Sequence, residues 1–369
     1  MNWFRWSNGM NLVFTSDLSG LGGGEVGLIY LVEELSKSHQ CLVVCRTEGK
    51  LVKVLEEKRI NVLVCDYKKK EKIFSALKRI RKKMKQFNPD AIFSNDPTTS
   101  ILMKMATVGV ICNNYWICHG QWYEFGYGKK ILLKYANNKI ICVSNAVKKN
   151  LEKQGFDRLE IIHLGVPLER FNLETSSSFR RELGIEESIP LIITVARFQE
   201  IKGQKRGIEI ATLFQEHNLP FAYAFIGGSV FGSDSDAAYE HEVKKLAKDK
   251  DLLDKKVFFV GERDDVAGIM READLLIIPS ENESFGVVAI EALAAGLPIV
   301  STPNEGVTEI LENDRRFIAV SKEAKDLFYL ARNILSDDEL RKCASRDMRE
   351  LSNKFKIENI SNAFVEAVK

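Results

Sequence analysis

The sequence predicts an α/β protein with two doubly wound domains, each built on a parallel β-sheet. At 369 residues the chain is long enough for two domains. Short apolar runs alternate with longer amphipathic stretches, the pattern of right-handed βαβ units. The alternation occurs twice, on either side of a polar connection within Pro167–Pro190 that includes Thr175–Ser178.

The strands of the first domain, expected over residues 1–170, are short apolar runs. They are Leu12–Thr15, Cys41–Cys45, Val62–Cys65, Ala91–Ser94, Tyr115–Cys118, Ile140–Val143 and Ile161–His163. Helical periodicity separates them, as in Leu28–Ser36 and Ile73–Phe87.

The second domain is expected over residues 171–350, followed by an amphipathic terminal helix in 351–369. Its strands are Leu191–Ala196, Ala222–Ile226, Val257–Val260, Leu275–Ile278 and Ile299–Ser301. Parallel sheets of this kind bind ligands beyond the carboxyl ends of their strands. Functional residues are therefore expected in the loops that follow the strands.

The composition and the charge of the chain limit the classes of function that the protein can have. Hydrophobic residues make up 45% of the chain and charged residues 28%, so the chain can bury a sizeable core. The net charge of +2 indicates no nucleic-acid partner, but residues 1–172 carry +11 and residues 173–369 carry −9. This asymmetry indicates two domains with different partners. The seven cysteines include no C-x-x-C pair, so a zinc site or redox motif is not expected. Their odd number and their positions in apolar runs are typical of a reducing, cytoplasmic compartment.

Neither a secretory signal nor a transmembrane segment is evident. The longest apolar stretch, Ile101–Cys118, is interrupted by one lysine and two asparagines, so it is not an ordinary spanning helix. The leader before the first strand has two interpretations. Either Met10 is the natural start, which we favour, or the aromatic residues of Trp3–Trp6 enter a membrane interface.

The strongest functional signal is Pro279–Gly296, which follows a predicted strand. Its predicted helix, Val287–Ala295, is apolar on nearly every face and is therefore expected to be buried. Glu291 is its only charged residue, so it needs a partner such as a ligand hydroxyl. Glu283 precedes the helix. The amides expected to bind a phosphate at the helix N-terminus belong to Ser284, Phe285, Gly286 and Val287. The structural alternative is a helix-start carboxylate at Glu283 and a salt-bridged core residue at Glu291.

Two cations follow the predicted strand Leu191–Ala196. Arg197 is a planar fork and Lys202 a point charge, and such a pair at a strand's carboxyl end can clamp a diphosphate. The alternative is a solvated basic turn.

The glycine-rich loop Gly20–Gly27 follows the first predicted strand and lets the backbone approach a ligand closely. Gly22–Gly27 also fits G-x-G-x-x-G, so a second hypothesis is an NADP-dependent oxidoreductase. In that hypothesis Arg46 would favour a 2′-phosphate. The match is weak, because the loop before it is long and the second strand ends in an arginine instead of an acidic residue.

His119 follows the predicted strand Tyr115–Cys118 and is expected to point into the crevice between the domains. The alternative is a core histidine with a satisfied hydrogen bond. The aromatic loop Gln121–Tyr127 either stacks on sugars or packs on the domain.

Two further segments bear on metal and membrane binding. Asp234–Asp236 is a D-x-D sequence, but one such pair offers too few oxygen ligands, and Asp236 is expected to cap a helix around Ala237–Ala247. The basic segment Lys68–Lys85 has apolar residues at helical spacing. We expect a surface helix with solvated charges that also attract anionic lipid head groups.

Together these features resemble the retaining family 4 glycosyltransferases, the glycosyl transferases group 1, over nearly the whole chain. The glycine loop resembles their G-G-x-E start and Val143–Val147 their V-S-x-A-V segment. Leu164–Pro167 with Phe171 resembles their N-G-V-x-x-x-x-F linker, with leucine in place of the usual asparagine. The resemblance implies the GT-B fold, in which two Rossmann-like domains face a cleft and the last helix crosses back to the first domain.

The resemblance also implies roles for individual residues. Arg197 and Lys202 match the diphosphate clamp, and Glu283 and Glu291 match an E-x7-E pair that holds the donor sugar and the ribose. The expected donor contacts are Gly23, Gly24, Arg197, Lys202, Glu283, Ser284, Phe285, Gly286, Val287 and Glu291. The expected catalytic residues are His119, Arg197, Lys202 and Glu283.

The implied function is a retaining glycosyltransferase that needs no metal or other cofactor. The first domain would hold the acceptor and the second a nucleotide-diphosphate sugar, with a UDP-sugar favoured. The charge distribution favours a lipid-linked or lipopolysaccharide acceptor at the cytoplasmic face of a bacterial membrane. The alternatives are the oxidoreductase, a sugar-nucleotide epimerase on the same fold, and a non-catalytic membrane-bound scaffold.

Overall fold

The computed structural model describes residues 9–18, 20–67, 73–172, 178–228 and 234–369, and the chain divides into two compact units. Unit 1 comprises the described residues up to Gly165 together with Ile357–Lys369, and unit 2 those of Val166–Lys356. Some residues discussed above lie outside the described ranges: the leader before Gly9, Lys68, Lys69, Lys70 and Lys72, and Thr175–Ser177.

Unit 1 contains a parallel sheet, of which the described residues form seven strands. Its elements are β1 (Asn11–Ser16), α1 (Gly23–Leu35), β2 (Gln40–Cys45), α2 (Lys50–Glu57), β3 (Asn61–Val64), α3 (Ile73–Phe87), β4 (Ala91–Ser94), α4 (Pro97–Ala106), β5 (Asn113–Cys118), α5 (Tyr127–Ala136), β6 (Lys139–Cys142), α6 (Asn145–Lys153) and β7 (Leu159–Ile161). The strand order is β3-β2-β1-β4-β5-β6-β7, and every pair is parallel.

The central strands of unit 1 are buried on both sides. Phe14 of β1 lies opposite Val43 of β2 and Phe93 of β4 in register. The prediction of the last strand at Ile161–His163 is wrong by two residues. Strand β7 lies at the sheet edge, and its residues are only partly buried. Because an edge strand need not be apolar throughout, the sequence has no continuous apolar run that marks its position.

Unit 2 contains a second parallel sheet, with five strands among its described residues. Its elements are α7 (Leu168–Asn172), α8 (Phe179–Glu182), β8 (Leu191–Val195), a 3-10 turn (Glu200–Lys202), α9 (Gln204–Glu216), β9 (Ala222–Ile226), α10 (Asp234–Asp249), β10 (Val257–Gly261), α11 (Val266–Glu272), β11 (Leu275–Ile278), α12 (Val287–Ala295), β12 (Ile299–Ser301), α13 (Glu305–Ile310), α14 (Ala324–Ser336), α15 (Asp338–Ser352) and a 3-10 turn (Asn353–Phe355). The strand order is β10-β9-β8-β11-β12.

The boundaries between the units fall a few residues from those expected after 170 and 350. Helix α7 belongs to unit 2 because it packs against α11 and α12. The amide of Val166 donates to the carbonyl of Phe355 at 2.9 Å, which holds both ends of unit 2 together. Helix α16 (Ile357–Val368) belongs to unit 1, where it packs against α1.

A membrane-spanning helix, which would have to be long and apolar throughout, is not present among the described residues.

Candidate active site

The loops after β8 and β11 carry the predicted cations and Glu283, and they meet at one edge of the sheet. The two strands are neighbours and parallel, so their carboxyl ends lie side by side. The amide of Glu281 donates to the carbonyl of Ile201 at 2.8 Å and joins the loops directly. Gly203 has a φ of +70° and packs against the carbonyl of Pro279 so closely that a Cβ would overlap it.

Lys202 and Glu283 form an ion pair in this position. The Nζ of Lys202 donates to both carboxylate oxygens of Glu283, at 2.8 and 2.9 Å. The side chains retain 20% and 12% exposure, so the pair is shielded but open to a ligand. The two residues that the sequence assigns to a diphosphate and to a sugar are therefore direct neighbours.

Ser280 is a contact that the sequence analysis missed. Its buried hydroxyl donates to Oε1 of Glu283 at 2.8 Å, and the hydroxyl of Thr302 donates to the Ser280 carbonyl. The position of Ser280, two residues after β11 and three residues before Glu283, was the available signal. The carboxylate of Glu283 is thus fixed by two donors, one charged and one neutral.

Arg206 on α9 is a second missed residue, and it ties this helix to the loop after β11. Its guanidinium donates to the carbonyl of Pro279 and to the carboxylate of Glu281. A hydrogen bond from Arg206 lowers the pKa of Glu281, and one from Lys322 lowers it to a smaller extent, whereas burial raises it. This charged contact fixes the loop that carries Glu283.

Helix α12 begins beside Glu283 and has the bounds predicted from the sequence. It packs against α7, α11, α13 and α15, and seven of its nine residues are buried. Val288 and Glu291 are the partly exposed ones, and their spacing of three residues puts them on one face. The expectation of full burial therefore fails on this face. Ser284, which precedes the helix, is also partly exposed, and the amides of Ser284, Phe285, Gly286 and Val287 lie at the helix start.

Arg197 lies two residues after the end of β8 and is partly buried. Its carbonyl accepts a hydrogen bond of 2.7 Å from the side-chain amide of Gln204 at the start of α9. The next residue, Phe198, is buried against Phe259 and anchors the loop.

The D-x-D residues do not converge on one point. Helix α10 begins at Asp234, so Asp236 lies inside the first turn instead of preceding the helix as its cap. Asp236 is buried and accepts a hydrogen bond of 3.1 Å from Gln199, whereas Asp234 is exposed. In the part of the chain that the structure describes, no group of three His, Cys, Asp or Glu residues is arranged to hold a metal ion.

In unit 1 the glycine turn begins α1, and an acidic side chain occupies the helix N-terminus. The amide of Gly22 donates to Oε2 of the buried Glu25 at 3.1 Å. The pyrophosphate of a dinucleotide would meet this carboxylate at the helix start. The arrangement therefore disfavours the oxidoreductase hypothesis. Gly23 is exposed, whereas Gly24 lies against the ring of His119.

His119 is a partly exposed residue whose Nε2 is buried and has no hydrogen-bond partner among the described residues. Burial lowers its pKa to about 4, so the imidazole is neutral at pH 7. The alternative, a core histidine with a satisfied hydrogen bond, therefore does not fit Nε2 of His119.

Buried polar atoms without a partner in the described chain also lie at the carboxyl end of β4. They are the hydroxyl of Ser94 and the side-chain amide of Asn95. Both residues lie at the carboxyl edge of the unit 1 sheet, and the sequence analysis missed them. Unpaired polar groups in such a place are typical of a site that hydrogen-bonds a ligand.

One part of the aromatic loop after His119 packs on the domain, and another part is exposed. Tyr123 and Phe125 pack edge-on against Trp116, each at 5.6 Å between ring centroids. Trp122 remains 68% exposed.

The two parallel α/β units and the loops at their carboxyl edges define a protein of the GT-B class. HepE of Anabaena, solved in complex with UDP-glucose, matches with a TM-score of 0.84 at 20% identity, covering 97% of this chain and 99% of HepE. WaaG, a glycosyltransferase involved in lipopolysaccharide biosynthesis, matches with a TM-score of 0.70 at 16% identity, covering 97% and 99%. At these identities the likeness shows the fold.

Models of glycosyltransferase families match both halves of the sequence. The model described as Glycosyltransferase Family 4 matches residues 21–170, and that described as Glycosyl transferases group 1 matches residues 176–350. The two models match separate parts of the chain, so similarity to glycosyltransferases extends over both units, as the resemblance in its motifs predicted.

The curated relatives are distant and are matched only in part. An uncharacterized glycosyltransferase of Methanocaldococcus jannaschii is 26% identical over 231 residues, which cover 61% of this chain and 58% of that protein. A D-inositol 3-phosphate glycosyltransferase of Mycolicibacterium gilvum is 30% identical over 151 residues, which cover 41% and 33%. The chain thus spans less than two thirds of the length of these relatives.

Proposed function

We propose that the protein is a retaining, metal-independent glycosyltransferase that moves a sugar from a nucleotide-diphosphate sugar to a membrane-associated glycan. The observation that carries the proposal is the contact of Lys202 with Glu283 beside the start of α12. A UDP-sugar is the favoured donor, which the HepE complex with UDP-glucose supports. The favoured pathway is the synthesis of lipopolysaccharide, O-antigen or another bacterial surface polysaccharide, which the likeness to WaaG supports.

Donor binding replaces the ion pair with ligand contacts. Lys202 turns from Glu283 to the diphosphate, where Arg197 and the amides at the start of α12 supply further donors. The carboxylate of Glu283, still held by Ser280, then accepts hydrogen bonds from sugar hydroxyls. Glu291, on the open face of α12, accepts from the ribose. The donor contacts of Gly23 and Gly24 stay predictions.

The charge that develops on the leaving diphosphate in the transition state is stabilised by Lys202 and Arg197. Glu283 acts as a hydrogen-bond acceptor and not as a nucleophile, because in the donor complex its carboxylate is engaged by Ser280 and by the sugar hydroxyls. The acceptor hydroxyl attacks the anomeric carbon from the face that the diphosphate leaves. Its proton passes to the departing phosphate oxygen, so the configuration is retained.

No metal is needed in this scheme, because cationic side chains and helix amides neutralise the diphosphate. The diverging side chains of Asp234 and Asp236 support this part of the proposal.

Unit 1 is proposed to hold the acceptor. The neutral imidazole of His119 and the unpaired polar atoms of Ser94 and Asn95 can hydrogen-bond hydroxyl groups of a glycan. The net charge of this half of the chain favours an acceptor at an anionic membrane, so we place the protein peripherally on the cytoplasmic face. The basic segment Lys68–Lys85 supplies the attraction, since the described part of α3 buries Ala76, Ile80 and Met84 and leaves its charges at the surface.

A thermal-shift panel of UDP-, GDP-, ADP- and TDP-sugars, with NADPH, tests the donor. A ligand that binds only the folded protein stabilises it by about 2.7 kcal/mol at a hundred times its Kd. We expect one sugar nucleotide to raise the melting temperature, with or without EDTA. Glu283→Gln and Lys202→Met should reduce the shift, and product NMR should show the donor's anomeric configuration.

The matched control is Lys205→Met, which breaks an exposed ion pair with Glu242 of 2.6 Å in the same unit. This variant should keep the full shift. Stabilisation by NADPH alone would support the oxidoreductase, and an altered nucleotide sugar without transfer would support the epimerase. A shift that EDTA abolishes contradicts metal independence.

A further inference from the structure

Helix α5 directs its apolar residues outward. Tyr127 is 82% exposed, Ile131 50%, Leu132 52% and Tyr135 78%. Their spacing places them on one side of the helix, and the opposite side buries only Leu133 and Ala136. We call these four exposed residues the outward stripe. A surface helix of a globular domain ordinarily shows the reverse arrangement.

Lysines flank the outward stripe. Lys129, Lys130 and Lys134 are the charged residues of α5, which has no acidic residue. Helix α3 has the opposite arrangement, because its apolar stripe packs inward. Its large exposed apolar residue is Phe74. Helix α3 therefore offers mainly charge to a partner, whereas α5 offers both charge and apolar area.

The two helices lie in one layer of unit 1, with α4 between them and in contact with both. The three successive connections β3–β4, β4–β5 and β5–β6 cross the sheet in the same direction. Their helices α3, α4 and α5 therefore lie on the same face of the sheet. Within their described residues α3, α4 and α5 carry ten lysine or arginine residues and no aspartate or glutamate. The layer is thus strongly cationic. Met105 near the end of α4 and Ile111 in the segment between α4 and β5 add apolar area, at 58% and 94% exposure.

We propose that α5 inserts the outward stripe into the surface of an anionic lipid membrane. Aliphatic side chains enter the acyl boundary, tyrosines occupy the head-group level, and lysines reach lipid phosphates. A second copy of this layer is a poor occupant because two cationic faces repel each other. The inference rests on the proposed function, which puts the acceptor at a membrane, and it assigns the docking surface.

Vesicle flotation tests this inference directly. The probe is vesicles of equal parts phosphatidylglycerol and phosphatidylcholine, with phosphatidylcholine vesicles as the reference. We expect the full chain to bind the anionic vesicles and Ile131→Gln/Tyr135→Gln to bind about ten-fold more weakly, because apolar area is lost while every charge remains. Circular dichroism should show both proteins equally folded, since both side chains are exposed.

The matched control is Val320→Gln/Tyr329→Gln, which removes one β-branched residue and one tyrosine exposed on unit 2. It should bind the vesicles as the unaltered protein does. Equal binding by the α5 variant, or no vesicle binding by the unaltered chain, overturns the proposal. A dimer in lipid-free solution that the α5 variant turns into a monomer also overturns it, by showing a protein interface. The thermal shift with sugar nucleotides should be unchanged in all variants, so failure of the donor site is detected separately.

Discussion

Gly306, the second residue of α13, holds the loop that carries Glu283. Its amide donates to the carbonyl of Glu283 at 2.9 Å. A Cβ at this position would lie 2.6 Å from that carbonyl and equally close to the backbone N and O of Phe285. Backbone atoms cannot turn aside as a side chain can, so only glycine allows this approach.

Gly306→Ala should therefore displace Glu283 and the start of α12 together. A displacement of about 1 Å at a reacting group can lower the rate by about 100-fold. We expect kcat/KM to fall roughly 10- to 100-fold with little loss of overall fold, as judged by transfer kinetics and circular dichroism. Gly128→Ala is the control, because a Cβ there meets nothing within 4 Å. Unchanged kinetics would contradict this positioning role.

His119 makes stability depend on pH. Its pKa of about 4 in the folded protein is below the ordinary value of 6.5, because burial disfavours the charged imidazolium. Between these values the unfolded chain binds more protons, so stability is greatest above pH 6.5 and is lost as pH falls toward 4.

We expect this residue to lower the free energy of unfolding by roughly 2 kcal/mol from pH 7 to pH 5. Urea denaturation at several pH values should show a shallower dependence for His119→Asn than for the unaltered protein. The surface variant His241→Asn controls for loss of a histidine as such. Equal pH dependence in His119→Asn and the unaltered protein would refute the assignment.

At the scale of elements, α16 completes the core of unit 1. Phe364 is buried edge-on against Phe93 of β4 at 5.3 Å, and the hydroxyl of Tyr115 on β5 donates to the carbonyl of Ala367 at 2.9 Å. These contacts explain why a segment so far along the chain belongs to the first unit.

Phe364→Ala should cost about 3–5 kcal/mol of stability by leaving a cavity beside β4. Hydrogen exchange should accelerate in β4 and β5 and leave unit 2 unchanged. Phe328→Ala is the matched core variant in unit 2, where Phe328 packs on Phe214 of α9 at 5.0 Å. It should accelerate exchange around α9. Faster exchange confined to unit 2 in Phe364→Ala would refute the placement of α16.

Strands and helices were predictable to different degrees. Strands β4, β9 and β11 have the predicted bounds, because interior parallel strands are buried on both faces and form continuous apolar runs. The edge strand β7 lacks that signal. The outward stripe of α5 was not predictable, because its apolar spacing is the same whether the stripe faces the core or the solvent.

For the whole molecule, the alternation of apolar and amphipathic segments sufficed to predict two doubly wound units. The meeting of Lys202 and Glu283 followed from the rule that parallel strands present their carboxyl ends together. Gly306 could not be found that way, because its contact with the Glu283 loop depends on how loops from different strands pack. Ser280 lies in the Glu283 loop itself, three residues before the carboxylate.

The division of unit 1 between two stretches of sequence has a consequence for synthesis. Unit 2 is continuous, so all of its elements are translated before α16. At roughly 5–20 residues per second, the surface around Phe93 stays uncovered while the whole of unit 2 is made. The unit that begins the chain is the last to finish folding, and a chaperone has time to bind its exposed aromatic core.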